Sequence, residues 1–174
     1  MAFKRLFIWV EGDDDMRFFD RIIKPRFGSQ YNCVEIIRYA NMPKKKFNQF
    51  MDSIIAMKAD YLYIKDINAC PCITTKKLKI KEQIDCIDAN RIIITIKEIE
   101  SWYLSGISDY YMQKFRLRYG QCTDNITKEQ CLKIIPRRFN SKLDFMLEIL
   151  KYFSIDIAKT RNRSFRYFVE KWDL

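Results

Sequence analysis

The chain has 174 residues, 48% of them hydrophobic, and contains only four glycines and four prolines. This length favours one domain with a full apolar core, and the low glycine and proline content leaves little room for linkers. Histidine is absent and the formal net charge is +10. The lack of histidine excludes a Ser-His-Asp triad and histidine general-base chemistry. The positive charge favours a polyanionic partner, most commonly nucleic acid, although a generally basic surface is the alternative.

No apolar stretch approaches the length of a membrane span, and the short apolar run near the start is followed by acids, unlike a signal peptide. We therefore expect a soluble cytoplasmic protein with no membrane partner. Its six cysteines should then be reduced. The Cys70-Pro71-Cys72 pair has no second close pair, which favours ordinary thiols over a zinc site.

Four apolar segments alternate with helical patterns in the first hundred residues. The predicted strands are 3–10, 33–38, 61–65 and 91–96. The predicted helices are 14–24, stopped near Pro25, one that begins at Pro43, and one around 75–87. This alternation predicts an α/β fold with a four-stranded parallel sheet flanked by helices.

After residue 97 the pattern is helical. Gly106 is placed to end one helix, and the helix starts are marked by Ser108, by Ser141 and by Thr127 with Gln130 as a capping box. In the helix after Ser141 the predicted inward positions are Leu143, Met146, Leu147 and Leu150. We predict an α/β domain over 1–105 and a helical extension over 106–174 that packs on the same domain.

Acidic residues follow three of the predicted strands. Glu11 follows the first strand, Asp66 the third, and Glu98 and Glu100 come just past the fourth. The carboxyl ends of parallel strands share one edge, so Glu11 and Asp66 face one another if their strands are neighbours. Carboxylates without histidine suit Mg²⁺ or Mn²⁺, and in a basic protein they indicate phosphoryl chemistry. The alternative is that these acids only cap helices and complement their positive ends.

A family resemblance strengthens the first interpretation. Glu11-Gly12-x-x-Asp15, preceded by Ile8-Trp9-Val10 and followed by Phe18-Phe19, resembles the first motif of the Toprim domain. This domain is shared by type IA and II topoisomerases, bacterial primases and OLD-family nucleases. The family's second motif, D-x-D, falls here at Asp66-Ile67-Asn68. The segment from Glu100 to Leu104 is similar to the I-E-x-W-x-L segment of standalone Toprim-like proteins, and the resemblance spans about residues 3–105.

The resemblance implies roles for individual residues. Glu11 would be a general acid/base or metal ligand, Asp66 the main metal ligand, and Asn68 and Glu100 further ligands of Mg²⁺ or Mn²⁺. The family pattern has aspartate where this chain has Asn68, which can ligate a cation but adds no charge. With a sheet order of 2-1-3-4, Glu11 and Asp66 would lie on the two central strands. Asp15 either caps its helix or reaches the metal.

These roles imply a Mg²⁺-dependent nuclease that acts on DNA or RNA. Because Asn68 departs from the pattern, a non-catalytic nucleic-acid-binding module with a degenerate metal site is the alternative. An aspartate-based phosphatase that uses Asp66 is a weaker third hypothesis. Standalone Toprim-like proteins often resemble one half of a two-part system, so a separate ATPase subunit is a further expected partner.

Basic residues supply candidate contacts to a phosphate backbone. Lysines in the first turn of a helix are unfavourable because they lie at its positive end. The three consecutive lysines that begin at Lys44 are therefore expected to have a function, such as contact with phosphates. The candidate nucleic-acid contacts are Arg38, Lys44, Lys45, Lys46, Lys76, Lys77, Arg161 and Arg163. The alternative for each is an ordinary solvated charge.

Overall fold

The structure, a computed structural model, describes residues 3–84 and 86–174. The chain divides into two compact units, one that runs to Ile94 and one that runs from Thr95 to Leu174. We call them the first and the second unit. The predicted boundary at residue 105 stays a prediction. None of the helices in the described part of the chain is long and apolar enough to cross a membrane.

The first unit alternates strands and helices as the sequence predicts. In chain order its elements are β1 (Arg5–Val10), α1 (Asp13–Phe18), β2 (Cys33–Arg38), α2 (Lys44–Ala56), β3 (Asp60–Asp66), α3 (Ile73–Gln83) and β4 (Ile92–Thr95). The four strands form one parallel sheet flanked by helices, in the order β2-β1-β3-β4. This confirms the predicted fold class and strand order, and it places β1 and β3 side by side at the centre.

Strand β1 is buried on both faces, as a central parallel strand requires. Phe7 and Trp9 belong to an apolar cluster with residues of α2 and α3. Leu6, Ile8 and Val10 alternate with them, so they point to the opposite face, and each is fully buried. In register, Ile8 lies opposite Ile36 of β2 and opposite Leu62 of β3. Packing on both faces and pairing with both neighbouring strands therefore fix the position of β1 and of the residue that follows it.

The segment after α1 differs from the prediction. Helical structure does not stop near Pro25, because a π-helical turn over Phe19–Ile23 leads into a 3-10 helix over Lys24–Ser29. Pro25 lies in the first turn of that 3-10 helix, where its missing N–H costs no hydrogen bond. The predicted helix over 75–87 begins earlier, as α3, and ends at Gln83. Its residue 85 lies outside the described residues.

The second unit is helical. In chain order its helices are α4 (Ile99–Ser105), α5 (Asp109–Phe115), α6 (Lys128–Ile134), α7 (Lys142–Leu150), α8 (Ile155–Arg161) and α9 (Arg163–Trp172). Ser108, Thr127 and Ser141 cap α5, α6 and α7, which confirms those predictions. Leu143 is 43% exposed, so its predicted inward position is wrong. It lies in the first turn of α7, whose buried face is formed by Phe145, Met146, Ile149 and Leu150.

Two features hold the second unit together over long sequence distances. Gly106 ends α4, and a Cβ atom there would lie 2.4 Å from the ring of Phe153, so only glycine fits. Beside it, Ile107 and Phe153 form an antiparallel bridge. Further along, Asn162 is 1% exposed and caps α9 by accepting a hydrogen bond from Phe165 N.

The same asparagine is part of a buried polar network. Its Nδ2 donates to Ser101 Oγ at 3.3 Å and to Thr123 Oγ1 at 3.1 Å. Ser164 Oγ donates to Asn162 Oδ1 at 2.8 Å and accepts a bond of 2.8 Å from the indole N–H of Trp102. A buried polar network of this kind stabilises a fold when its groups satisfy one another.

Candidate metal site at the sheet edge

Glu11 directly follows β1 at the carboxyl edge of the sheet. The edge is fixed by the neighbouring strand, because the Tyr39 N–H donates to the Val10 carbonyl at 3.0 Å. Tyr39 itself directly follows β2. The side chain of Glu11 is 37% exposed, so it is open to a ligand from solvent.

Lys65 of β3 contacts one oxygen of Glu11. Its Nζ lies 2.9 Å from Glu11 Oε1 and 5.4 Å from the centre of the Tyr39 ring. The other oxygen, Glu11 Oε2, is buried and has no hydrogen-bond partner among the described residues. A buried carboxylate oxygen without a donor is unfavourable, so the geometry favours a cation or proton donor at this position.

Asp66 and Asn68 follow Lys65 at the same edge. Asp66 is the last residue of β3, and β3 is the neighbour of β1 in the sheet. Asn68 is exposed and has a φ of 50°, which places it in the left-handed region at the turn after the strand. Asparagine tolerates this conformation better than most residues. The structure therefore brings Glu11 and Asp66 to adjacent strand ends, with Asn68 in the turn beyond them.

The remaining acids of the first motif bind within the protein. Asp15 is 8% exposed, and its Oδ2 accepts a hydrogen bond of 3.1 Å from Gly12 N at the start of α1. Asp14 pairs with Arg17 at 2.5 Å. Asp13 pairs with Arg38, one of the predicted nucleic-acid contacts. Of the two roles open to Asp15, the structure shows the helix cap.

Sequence reasoning missed two tyrosines that line this edge. Burial raises the pKa of Tyr39 far above its usual range, and the nearby charges of Glu11 and Asp15 raise it further. Burial likewise raises the pKa of Tyr63, with a smaller contribution from Glu11. Both phenols therefore stay neutral, and the Tyr39 hydroxyl donates to the Ile64 carbonyl at 2.9 Å. Tyr39 could have been found from its position directly after β2, at the same strand edge as Glu11.

The residues at this edge supply some of the ligands that a hard cation needs. Mg²⁺ is commonly held by one or two carboxylates, with substrate oxygens and water as the other ligands, and Glu11 and Asp66 supply two. Within the described residues of the first unit, acidic and cysteine side chains do not form a group of three that would hold a metal unaided. Water or a bound ligand would therefore have to complete the coordination.

Glu100 belongs to the second unit, where it has a partner of its own. Its side chain is 5% exposed, and its Oε1 lies 2.6 Å from Nζ of Lys142. Glu98 also binds within the second unit, where it accepts a hydrogen bond of 2.5 Å from Lys128 N. The predicted role of Glu100 as a metal ligand stays a prediction.

The lysines among the predicted nucleic-acid contacts fall into two groups, one on α2 and one on α3. Lys44, Lys45 and Lys46 are exposed in the first turn of α2, which contains no acid. In α3, Lys77 donates to the Ala89 carbonyl at 2.9 Å, and Lys76 is 9% exposed. The lysines of α2 are thus the more accessible of the two groups.

Two arginines of the second unit take part in internal contacts. Arg161 is 7% exposed and donates to the Ile107 carbonyl at 2.5 Å and to Asp109 at 2.5 Å. Arg163 is 74% exposed, and its Nε donates to buried Asp124 at 2.6 Å. Their predicted contact with nucleic acid stays a prediction, and the structure gives each a role inside the unit.

Comparison with known proteins identifies a shared fold. No protein-family model matches the sequence, and no curated protein matches it. The chain is similar to the C-terminal region of the Burkholderia pseudomallei OLD protein, with a TM-score of 0.53 and 13% identity over 99% of this chain and 100% of that one. It is also similar to the C-terminal region of the Xanthomonas campestris pv. campestris OLD protein, with a TM-score of 0.50 and 15% identity over 99% of both chains. At these identities the likeness shows the fold alone.

Proposed function

We propose that the chain is a Toprim-like protein that cleaves phosphodiester bonds with Mg²⁺ or Mn²⁺, a nuclease on DNA or RNA. The observation that carries this proposal is the position of Glu11 and Asp66 at the ends of two adjacent central strands. The Glu11-Gly12-x-x-Asp15 motif supports it from the sequence. The fold shared with the C-terminal regions of two OLD proteins supports it independently.

In this proposal Glu11 and Asp66 hold the cation, and Glu11 also moves the proton. Glu11 Oε2 is buried and has no hydrogen-bond partner among the described residues, so a proton or a bound cation would satisfy it. Lys65 holds the other oxygen and thereby orients the carboxylate. A bound divalent cation supplies positive charge next to the phosphate oxygens, where negative charge develops during cleavage.

The proposal is tested by cleavage of labelled single- and double-stranded DNA and RNA in the presence of Mn²⁺ or Mg²⁺. We expect Glu11→Gln and Asp66→Asn to lower the rate by at least about 100-fold, the scale of a lost acid/base group or metal ligand. Asp14→Asn is the matched control, because Asp14 lies in the same acidic run and pairs with Arg17. No cleavage by the wild type, or equal rates for wild type and Glu11→Gln, would refute the proposal.

Asn68 favours a second candidate, a nucleic-acid-binding module without catalysis. In this case the neutral amide leaves the edge with too little negative charge for a stable metal site. The module would bind nucleic acid with strong salt dependence and no turnover. Reversing the charges of Lys44, Lys45 and Lys46 should then weaken binding, and unchanged affinity would count against it. The separate ATPase subunit that the resemblance implies stays a prediction.

A further inference from the structure

A pocket of about 380 Å³ opens in the first unit beside the candidate metal site. This volume falls within the range of about 300–1,000 Å³ that is usual for small-ligand sites. Tyr39, Phe47 and Tyr63 form much of its wall. The rings of Tyr39 and Tyr63 are stacked with centroids 4.8 Å apart, and Phe47 meets Tyr63 edge-on at 5.9 Å. Packed rings of this kind form a rigid apolar surface that suits a flat ligand.

Polar groups are placed around the aromatic wall. Lys44, Asn48 and Gln83 also line the pocket. The Oδ1 atom of Asn48 is buried and accepts no hydrogen bond from the described residues. Because such an acceptor is unfavourable alone, it indicates a ligand that brings an N–H group. Lys44 is exposed, so it adds a positive charge that a phosphate can reach.

The pocket is connected to the acidic edge by two residues. Tyr39 lines the pocket, and its ring lies 5.4 Å from Lys65 Nζ, the same atom that contacts Glu11 Oε1 at 2.9 Å. Tyr63 lines the pocket as well and lies on β3, three positions before Asp66. A ligand in the pocket would therefore have its neighbouring atoms close to the candidate metal site.

We propose that this pocket binds one unpaired nucleobase of a strand whose adjacent phosphate lies at Glu11 and Asp66. Every common base has a flat apolar face, and each carries an N–H donor on the edge that is free when the base is unpaired. Asn48 Oδ1 accepts from that donor, the aromatic wall contacts the base, and Lys44 contacts the backbone. The inference rests on the proposed nucleic-acid substrate but not on cleavage. It assigns single-stranded or locally unpaired nucleic acid as the substrate.

The test is binding in the presence of a chelator, so that no cleavage can occur. The probes are a fluorescent oligothymidylate and an abasic backbone of the same length and charge. We expect the wild type to bind oligothymidylate about tenfold more tightly than the abasic strand, the scale of one contacted base. Equal affinity for the two strands would overturn the proposal, because it leaves only phosphate contacts.

Two variants locate the preference in the pocket. Asn48→Ala should lose most of the preference for oligothymidylate and keep its affinity for the abasic strand. Gln49→Ala is the matched control, since Gln49 is the exposed neighbour on α2 and does not line the pocket. Gln83→Ala repeats the test at an exposed position of the pocket wall, where folding is not at risk. An unchanged preference in both pocket variants, or equal losses on both strands, would contradict the proposal.

The same experiment separates this inference from the proposed nuclease activity. A preference for bases without cleavage after Mg²⁺ is added would support the base-binding pocket and refute the proposed nuclease activity. Cleavage without any preference for bases would refute base binding in the pocket and support the proposed nuclease activity.

Discussion

The sheet edge of the first unit and the polar network of the second unit use polar residues in opposite ways. In the network, Asn162 is 1% exposed and its amide binds three side chains and one backbone N–H. At the sheet edge, Glu11 is 37% exposed and its Oε1 pairs with Lys65. Its Oε2 is buried and has no hydrogen-bond partner among the described residues.

This contrast separates polar groups that satisfy one another within the fold from a polar group that is left unsatisfied. A satisfied buried network contributes stability, and its loss is costly because partner groups are left without hydrogen bonds. An incomplete site contributes little stability, so a substitution there should change binding more than folding. Substitutions of satisfied buried groups should therefore cost the most stability, and substitutions at exposed or incomplete sites the least.

The largest effect is expected at the ion pair between Glu100 and Lys142. Lys142→Met leaves the carboxylate of Glu100, which is 5% exposed, without its charge partner. Removal of one member of a buried pair costs about 3–5 kcal/mol of unfolding free energy. Urea unfolding measures this loss. Lys151→Met is the control, because Lys151 is 57% exposed in its pair with Glu148 and should change stability by less than about 1 kcal/mol. Similar values for both variants would refute the prediction.

Asn162→Ala should be the next most harmful substitution. It removes the cap of α9 and leaves Ser101, Thr123 and Ser164 without a shared partner. We expect a loss of about 3 kcal/mol, the combined scale of a lost cap and of buried polar groups left unsatisfied. Thermal and urea unfolding check the value. Asn125→Ala, at an exposed position, should leave stability nearly unchanged, and a loss as large as that of Asn162→Ala would argue against a special role for the network.

Glu11→Gln should change folding stability by less than about 1 kcal/mol, since it loses a partly exposed ion pair. Its effect should be on metal binding. Mn²⁺ at saturating concentration should raise the Tm of the wild type, because a ligand that binds only the folded state stabilises it. The variant should show a much smaller increase. Equal Mn²⁺-dependent shifts of Tm in both proteins would place the metal elsewhere.

The smallest effect concerns pH. A hydrogen bond from Gln121 and the guanidinium of Arg161 lower the pKa of Asp109 below its usual range. The carboxylate therefore stabilises the folded state above the unfolded-state pKa of about 3.9, and this contribution is lost as the pH falls below that value. Asp109→Asn should make Tm less sensitive to acid over this range. An identical pH profile of Tm for both proteins would contradict the assignment.

The sequence was sufficient for much of the fold. Apolar strands with β-branched residues predicted four strands, and capping residues such as Ser108 and Thr127 predicted helix starts, because both signals are local. Pro25 misled the prediction, since proline is tolerated in the first turn of the 3-10 helix that follows the π-helical turn. Leu143 was wrongly predicted to face inward, because it lies in the first turn of α7 and outside the buried face of that helix.

The candidate site was predictable only as far as strand ends could be located. Glu11 and Asp66 were found because parallel strands end at one edge. Lys65 was missed, although its Nζ lies 2.9 Å from Glu11 Oε1, because a lysine at a strand end has no distinctive pattern. The network around Asn162 joins residues up to 62 positions apart, and no local pattern marks such contacts.

The contact between Gly106 and Phe153 also determines how the second unit assembles. Ser154 N donates to the Gly106 carbonyl at 2.9 Å, and the two segments form a bridge across more than 40 residues. Helical proteins usually fold fast because most of their contacts are local. Here the end of α4 reaches its native position only after a long loop closes, and that closure costs chain entropy before any packing repays it. The second unit is therefore helical in content but is closed by contacts between distant segments, so we expect it to fold more slowly than a helical protein with local contacts.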